Sequence, residues 1–353
     1  MHSAVSRTGF VVRDLLRRHF LLAALVAIYT AVAAWLSQRY GLSVETDKAG
    51  VLVMHFLTKV PQMIFFVLFW RLLYHSYVVR APDRMAALKQ DVRGFLSDRE
   101  GLVGGAIATL LMAVSLMAFA QLKSLIPIIQ PFAWDAQLAE LDRLLHFGTD
   151  PYVVLHAIFG GPYSLSFFSG MYNVWLFVVY FALFGACFMR SGSVPRMQFL
   201  IAFLLVWAVG GNLLATVFSS AGPPYFAQLG LRDTFAPLMG MLEAHAATGA
   251  LSVVETQRLL WDFYSAPNSI NAISAFPSMH VASSVLMALF GFHISRWLGI
   301  ALTAFATSIM IGSVLLGWHY AIDGYAGALI AVAGWWVARW LVQLRWGPFP
   351  KAP

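Results

Sequence analysis

The stretch that decides the fold is WLGIALTAFATSIMIGSVLLG (residues 297–317), followed after one residue by HYAIDGYAGALIAVAGWWVARWLV (residues 319–342). Each run is apolar over about 20 residues, the length that a helix needs to cross roughly 30 Å of membrane hydrocarbon. Neither run alternates polar and apolar residues, so we expect helices rather than the strands of a barrel. The pair therefore predicts two consecutive transmembrane helices, with a histidine and an aspartate near the start of the second.

The whole chain has the composition of a membrane protein. Of its 353 residues, 60% are hydrophobic and 11% are charged, whereas soluble domains average about 45–50% apolar and roughly 25% charged residues. This difference excludes an ordinary soluble enzyme, and an aromatic content of 15% excludes a disordered chain. The single cysteine, Cys187, excludes an intramolecular disulfide and a cysteine-clamped metal site.

Eight segments are long and apolar enough to span a membrane, so we predict an all-α, polytopic membrane protein of about eight transmembrane helices. Two N-terminal helices and a cytoplasmic amphipathic loop would occupy residues 1–100, and a six-helix core would occupy residues 101–345. The candidate spans are residues 20–37, 51–73, 102–121, 165–188, 197–219, 277–295, 297–317 and 319–342.

The distribution of basic residues predicts the orientation of these spans. The formal net charge is +7, and most lysines and arginines fall in the segments that are inside if the N-terminus is cytoplasmic. We therefore expect a multi-pass protein with both termini in the cytoplasm, and we explain the positive charge by topology rather than by nucleic-acid binding. Compact loops favour a bacterial inner membrane, although charge distribution does not distinguish it from an internal membrane with a lumenal site.

Two long segments fall on the outer side in this orientation, and long connections are often functional. Residues 122–164 include Leu138, Leu141, Leu144 and Leu145 at helical spacing, which predicts an amphipathic helix at the membrane interface. Residues 220–276 open with the sequence Gly222-Pro223-Pro224-Tyr225.

The sixth predicted span begins with Phe276-Pro277-Ser278-Met279-His280. Proline is favoured in the first turn of a helix, so the unpaired N–H groups of that turn should lie around Ser278, Met279 and His280. Such a helix start, with a hydroxyl and an imidazole beside it, is suited to binding an anion such as phosphate.

The eighth predicted span begins with His319-Tyr320-Ala321-Ile322-Asp323. Residues four apart share one helical face, so we expect Asp323 to contact the His319 imidazole. A carboxylate on one ring nitrogen makes the other nitrogen a better base or nucleophile. Together with His280 the pair could also hold a metal ion, but one carboxylate beside a serine-bearing helix start suits an oxyanion better. We therefore predict no metal and no cofactor.

These motifs resemble those of the type-2 phosphatidate phosphatase superfamily. Pro277-Ser278-x-His280 and His319-x-x-x-Asp323 are similar to its second and third signatures, and Gly222-Pro223-Pro224-Tyr225 looks most like its inositol phosphorylceramide synthase branch. The resemblance covers about residues 100–342 and implies a metal-independent phosphoester site.

The resemblance also implies a role for each matching residue. His319 would attack phosphorus and form a phosphohistidine, Asp323 would orient it, and His280 would protonate the leaving oxygen and then activate the incoming water or alcohol. Ser278 and the neighbouring backbone at Met279 would hold the phosphoryl oxygens. Tyr225 and Tyr320, which belong to the matching motifs, are expected to line a substrate groove.

The sequence departs from the superfamily pattern in its basic residues. The first signature, K-x-x-x-x-x-x-R-P, is not found, and Gly312-Ser313 occupy the places where the third signature usually has serine and arginine. Arg258 is our first candidate for a substitute phosphate-binding cation and Arg232 the second. Lys123 and Arg143 are the other basic residues on the outer side of the core.

The predicted function is that of a lipid phosphotransferase or phosphatase acting at the non-cytoplasmic interface. Its partners would be a membrane lipid substrate and either water or a lipid or polyol alcohol as acceptor, with no nucleic acid. A phospho-inositol type headgroup is the transferred group that the motifs favour. A plain lipid phosphate or isoprenoid (pyro)phosphate phosphatase, a lipid transporter and a scaffold with a decayed site remain open alternatives, and the sequence does not define an oligomeric state.

Overall fold

A computed structural model describes residues 2–41, 46–189, 193–232, 234–247, 253–266 and 273–346. It is 83% helix and holds no strand in these ranges, as an all-α polytopic protein requires. Two π-helical turns, Tyr74–Val78 and Val209–Leu214, interrupt the α-helices. The α-helices are α1 His2–Arg39, α2 Thr46–Leu73, α3 Arg84–Ser97, α4 Arg99–Ile129, α5 Asp135–Leu145, α6 Pro151–Phe159, α7 Pro162–Cys187, α8 Val194–Ala208, α9 Ala215–Val217, α10 Ala236–Ala246, α11 Val253–Ser265, α12 Met279–Ile294, α13 Arg296–Leu315 and α14 Ala321–Trp346.

Six helices in the described ranges are long and apolar enough to cross a membrane, and they coincide with six of the eight expected spans. The expected span 277–295 is the shorter apolar helix α12, and the expected span 51–73 lies in α2, of which the side chains before residue 58 are outside the described residues. The six are Arg17–Arg39, Arg99–Ile129, Pro162–Cys187, Val194–Val217, Arg296–Leu315 and Ala321–Leu344.

The centre of the bundle is α8, which packs against α12 and α14. Phe199, Leu200, Ile201 and Ala202 are fully buried in succession, so this helix is apolar on every side. Helices α7 and α13 pack beside α12. The bundle therefore brings the first turns of α12 and α14 together at the end where α4 and α13 finish and α7 begins. We call this end the site end.

The N-terminal helix α1 packs along α4 and contributes to the same apolar core, through residues such as Leu22 and Val26. Near the site end, the buried Tyr29 hydroxyl donates a hydrogen bond to Asn212. Helix α3, in the stretch where we expected a solvated amphipathic loop, buries none of its residues. The division into residues 1–100 and 101–345 stays a prediction.

Helix α5 lies at the site end, in the segment where we expected an amphipathic helix at the membrane interface. Leu141, Leu144 and Leu145 are exposed, as apolar side chains facing a membrane interface would be, whereas Leu138 is buried. The buried face also carries Asp135 and Asp142. The reason is that these carboxylates bind free backbone N–H groups of the bundle, described below, which an apolar face could not satisfy.

Candidate active site

Helix α12 starts at Met279, two residues after the start of the expected span, because Ser278 is its N-cap and Pro277 precedes the cap. The Ser278 hydroxyl accepts a hydrogen bond from the Val281 amide at 3.4 Å. The Ser278 amide donates to the backbone oxygen of Asp323 at 2.9 Å. The amides of Met279 and His280 have no acceptor among the described residues, so this helix start presents two free donors.

His319 and Asp323 are in contact as predicted, although His319 lies two residues before the start of α14 rather than on its face. The His319 Nδ1 atom is 3.3 Å from Asp323 Oδ2, and the Tyr320 amide donates to the same oxygen at 3.2 Å. The His319 amide donates to the Ser313 carbonyl at the end of α13, which holds the histidine outside the helix. Both side chains are buried, and because Nδ1 faces the carboxylate, Nε2 is the nitrogen left for chemistry.

His280 lies next to His319 at the meeting of the two helix starts. Their ring centroids are 5.9 Å apart, with the rings inclined at 62°. Two aromatic side chains of α7 hold the His280 ring: Tyr172 stacks on it at 4.4 Å, and Trp175 lies 4.0 Å from it. The Trp175 indole also donates to the His280 carbonyl at 3.1 Å. Nothing in the local sequence of α7 indicates these contacts, because the partner lies more than 100 residues away along the chain.

The two buried carboxylates of α5 bind the loops that carry the site, and sequence reasoning missed them as well. Asp142 accepts hydrogen bonds at 3.0 Å from the amides of Ala321 and Ile322, the first residues of α14. A carboxylate at this position satisfies orphan N–H groups and complements the helix dipole. Burial raises the pKa of the Asp142 carboxyl, and these two hydrogen bonds oppose that shift.

Asp135 likewise accepts hydrogen bonds from backbone N–H groups, in this case those of the loop that precedes α10. Its carboxylate accepts from the amides of Ala221 and Gly222 at 2.9 and 2.7 Å and from the Tyr320 hydroxyl at 2.9 Å. Burial raises the pKa of this carboxyl too, against the pull of the same hydrogen bonds. Asp135 therefore connects the loop that contains Gly222-Pro223-Pro224, which we call the Gly-Pro-Pro loop, to Tyr320, the residue after His319.

Gly222 is required in this loop by its conformation and by its surroundings. Its φ is +98°, and a β-carbon there would lie 3.0 Å from the Ala275 side chain and 3.0 Å from the Trp318 carbonyl. The Gly-Pro-Pro loop thus packs directly on the chain next to His319. A small cleft lined by His319, Tyr320 and Pro223, among others, lies between them.

We expect the substitution Asp142→Ala to lower both the stability and the turnover of the protein. It leaves two buried amides at the start of α14 without an acceptor, which costs about 1–3 kcal/mol, and it loosens the turn that holds His319. Thermal unfolding in detergent and turnover of a phosphorylated lipid measure the two effects. Glu140→Ala, on the exposed face of the same helix, is the matched control, and equal melting temperatures for the two variants would contradict the assignment.

Lys123, near the end of α4, is a basic residue that the structure brings to the site. Its Nζ atom lies 5.8 Å from the centre of the Phe119 ring, and that ring and the Met279 side chain both border Gly211. Lys123 is partly buried and has no carboxylate partner among the described residues.

The arginines proposed from sequence occupy other positions. Arg258 on α11 is exposed and pairs with Glu243 at 2.7 Å, and Arg232 is an exposed loop residue. Neither contacts His280 or His319 in the described residues. Arg143 pairs with Asp150 at 3.2 Å.

The two tyrosines expected to line a substrate groove are both buried. Tyr320 lines the cleft beside His319, while Tyr225 lines a larger cavity farther along the same loop. The Tyr225 hydroxyl donates to the Gln257 carbonyl at 3.0 Å, and burial raises the pKa of that hydroxyl. In the described ranges no group of three or more histidine, cysteine, aspartate and glutamate side chains is arranged to hold a metal ion.

Comparison with known proteins identifies a family for this chain. A family model described as the PAP2 superfamily matches residues 136–337. The chain belongs to the PAP2 superfamily. The matched range begins in α5 and ends in α14, so it includes Asp142, the α12 start and the His319–Asp323 pair. Members of the superfamily are phosphatases acting on phosphate esters, and the match does not distinguish the inositol phosphorylceramide synthase-like branch. No curated protein and no solved structure matches the chain.

Proposed function

We propose that this PAP2 superfamily member is a membrane-embedded enzyme that moves a lipid-linked phosphoryl or phosphodiester group through a phosphohistidine at His319. The observation that carries the proposal is the geometry of the histidine pair. His319 presents Nδ1 to the buried carboxylate of Asp323 and has Nε2 free, and His280 lies beside it at the start of α12.

In the first step, His319 Nε2 attacks phosphorus, a P–N bond forms, and the P–O bond to the leaving group breaks. Protonated His280 gives its proton to the departing oxygen. In the second step, neutral His280 takes the proton of an incoming hydroxyl, whose oxygen attacks phosphorus and breaks the P–N bond. Asp323 stabilises the charged imidazole that forms in between. His319 is regenerated, and the proton balance of His280 is restored.

The phosphoryl oxygens would be bound by the free amides of Met279 and His280, by the Ser278 hydroxyl and by the Lys123 ammonium. Backbone donors at a helix start stabilise developing negative charge. Lys123 supplies the positive charge that we expected from Arg258 or Arg232. It lies on α4, outside residues 136–337, which the family model matches.

We expect Lys123→Met to lower kcat/KM by about 100-fold, the usual effect of removing one group that stabilises transition-state charge. Methionine keeps the length and apolar contacts of the side chain, so folding should be retained. Lys123→Arg should recover much of the activity, and Arg232→Met is the control for general loss of positive charge. Wild-type kcat/KM in Lys123→Met would remove Lys123 from the phosphate site.

Transfer and hydrolysis differ only in the acceptor, and we propose transfer of a phospho-inositol type headgroup to a lipid alcohol as the preferred reaction. The Gly-Pro-Pro loop supports this choice, because its Pro223 and Asp142 of α5 line the His319 cleft and would limit access of water to the intermediate. The alternative is hydrolysis of a lipid phosphate or of an isoprenoid (pyro)phosphate.

The test uses purified protein in detergent with phosphatidylinositol, phosphatidate and an isoprenoid pyrophosphate, each labelled at phosphorus. Reactions are run with ceramide, diacylglycerol, free inositol or no acceptor. A labelled phosphodiester that requires a lipid alcohol would support transfer, whereas phosphate released at the same rate without acceptor would establish the hydrolase. No conversion of any of these lipids, in protein shown to be folded, would contradict the proposal.

A further inference from the structure

A cavity of about 380 Å³ lies beside the His319 cleft, outside the machinery described so far. It is open on one side and is lined by the Gly-Pro-Pro loop, α10 and α11. Its volume is within the range of small-molecule sites, about 300–1,000 Å³. Its polar lining groups are the side chains of Gln228, Glu243, Gln257, Arg258 and Asp262.

The aromatic wall of the cavity is fixed in place. Trp261 stacks on Tyr225 with centroids 5.2 Å apart and an interplanar angle of 20°. Tyr225 is held by its hydrogen bond to the Gln257 carbonyl, and the Gln257 amide group donates to the Leu316 carbonyl at 3.1 Å. The wall is thus connected through Gln257 to the loop that leads to His319.

The polar groups of the cavity favour a neutral ligand rich in hydroxyl groups. Glu243 and Arg258 pair with each other at 2.7 Å, and Asp262 adds a second carboxylate, so the carboxylates outnumber the guanidinium. This charge balance disfavours a bare phosphate, whose oxygens would face two carboxylates. Hydroxyl groups both donate and accept, so they can satisfy carboxylate, guanidinium and amide groups together, while the C–H face of a ring packs on Trp261.

The cavity is a neighbour of the small cleft that His319 lines. Pro223 and Phe235 line both spaces, so these two side chains stand between them. A polyhydroxylated group in the cavity would therefore be separated from the His319 cleft by the Pro223 and Phe235 side chains.

We propose that this cavity binds the polyhydroxylated alcohol of the reaction, and that Glu243, Arg258 and Asp262 select it. The alcohol arrives either as the headgroup of the donor phospholipid or as a free polyol. The proposal rests on the proposed function for its place in the reaction, but polyol binding in the cavity is measurable without turnover.

The first arm of the test measures binding of free inositol to the His319→Ala protein by calorimetry. Asp262→Asn is added as the cavity variant, because the Asp262 carboxylate is exposed and has no partner among the described residues. The control is Glu255→Gln, an exposed carboxylate of the same helix that does not line the cavity. We expect binding to weaken by about tenfold in Asp262→Asn and to be unchanged in the control.

The second arm compares kcat/KM for phosphatidylinositol and for phosphatidate, which has no headgroup alcohol. Asp262→Asn should lower the value for phosphatidylinositol by about tenfold and leave that for phosphatidate unchanged. If Asp262→Asn weakens inositol binding and also lowers kcat/KM for phosphatidylinositol, a free polyol is a ligand of the cavity. If it lowers only kcat/KM for phosphatidylinositol, the ligand is the lipid headgroup. No effect in either arm, or an equal loss for both lipids without a change in inositol binding, overturns the proposal. Inositol binding at the cavity without turnover of any lipid would support the cavity and contradict only the proposed function.

Discussion

Replacing His319 with alanine should reduce turnover of the physiological lipid by at least about 1,000-fold, because the substitution removes the nucleophile and not merely a contact. The Asp323 carboxylate would lose its partner, but the Tyr320 amide would still bind it, so the fold should survive. The measurement is the rate of conversion of a labelled phospholipid by purified protein in detergent, with unfolding temperatures measured in parallel.

His293→Ala is the matched control for this variant. His293 lies on α12 like the proposed acid and base His280, but it is exposed at the other end of that helix and contacts Trp335 instead of the site. Its replacement should leave the rate unchanged. A His319→Ala protein that is folded and as active as His293→Ala would show that His319 is not the nucleophile.

Gly327→Ala should also have a large effect, although Gly327 has no chemistry of its own. A β-carbon at this position would lie 2.4 Å from the Ser278 carbonyl oxygen, so α14 and the start of α12 could not keep their present separation. That separation allows the Ser278 amide to bind the Asp323 backbone oxygen. We expect a destabilisation of about 1–3 kcal/mol, typical of overpacking, and a loss of most activity as Ser278 and His280 shift away from His319.

The direction of the stability change is informative, because replacing glycine with alanine inside an unconstrained helix stabilises the helix by about 1 kcal/mol. Gly170→Ala on α7 supplies the comparison, since a β-carbon there would meet nothing within 4 Å. It should keep or raise the unfolding temperature and retain activity. A Gly327→Ala protein that behaves like Gly170→Ala would mean that the two helix starts are farther apart than the structure has them.

The spans and the two histidine motifs could be predicted from sequence because each depends on neighbouring residues. Apolar runs of about 20 residues define the helices, and the spacing of His319 and Asp323 permits their contact even though the pair lies partly outside α14. The meeting of His280 with His319 followed from topology, since both motifs open spans on the same side.

The supports of the site could not be predicted in the same way, because each depends on a distant part of the chain. Asp142 lies on a helix whose leucine spacing predicted a position at the membrane surface, yet the partners of its carboxylate are the amides of Ala321 and Ile322. Tyr172 stacks on His280 from another span. Lys123 and Arg258 look equivalent as outer-side cations, and only the packing of α4 against the bundle places Lys123 on the Phe119 ring, which borders Gly211 together with Met279.

A covalent phosphohistidine at His319 is the intermediate on which the proposed mechanism depends, and it can be trapped. Wild-type protein is mixed with the phosphorus-labelled lipid that it converts, quenched rapidly in alkali, digested and mapped by mass spectrometry. We expect a label on His319 that survives alkali, is lost in acid and is missing from His319→Ala. Turnover with no label on His319 at any quench time, or with the label on another residue, would contradict it.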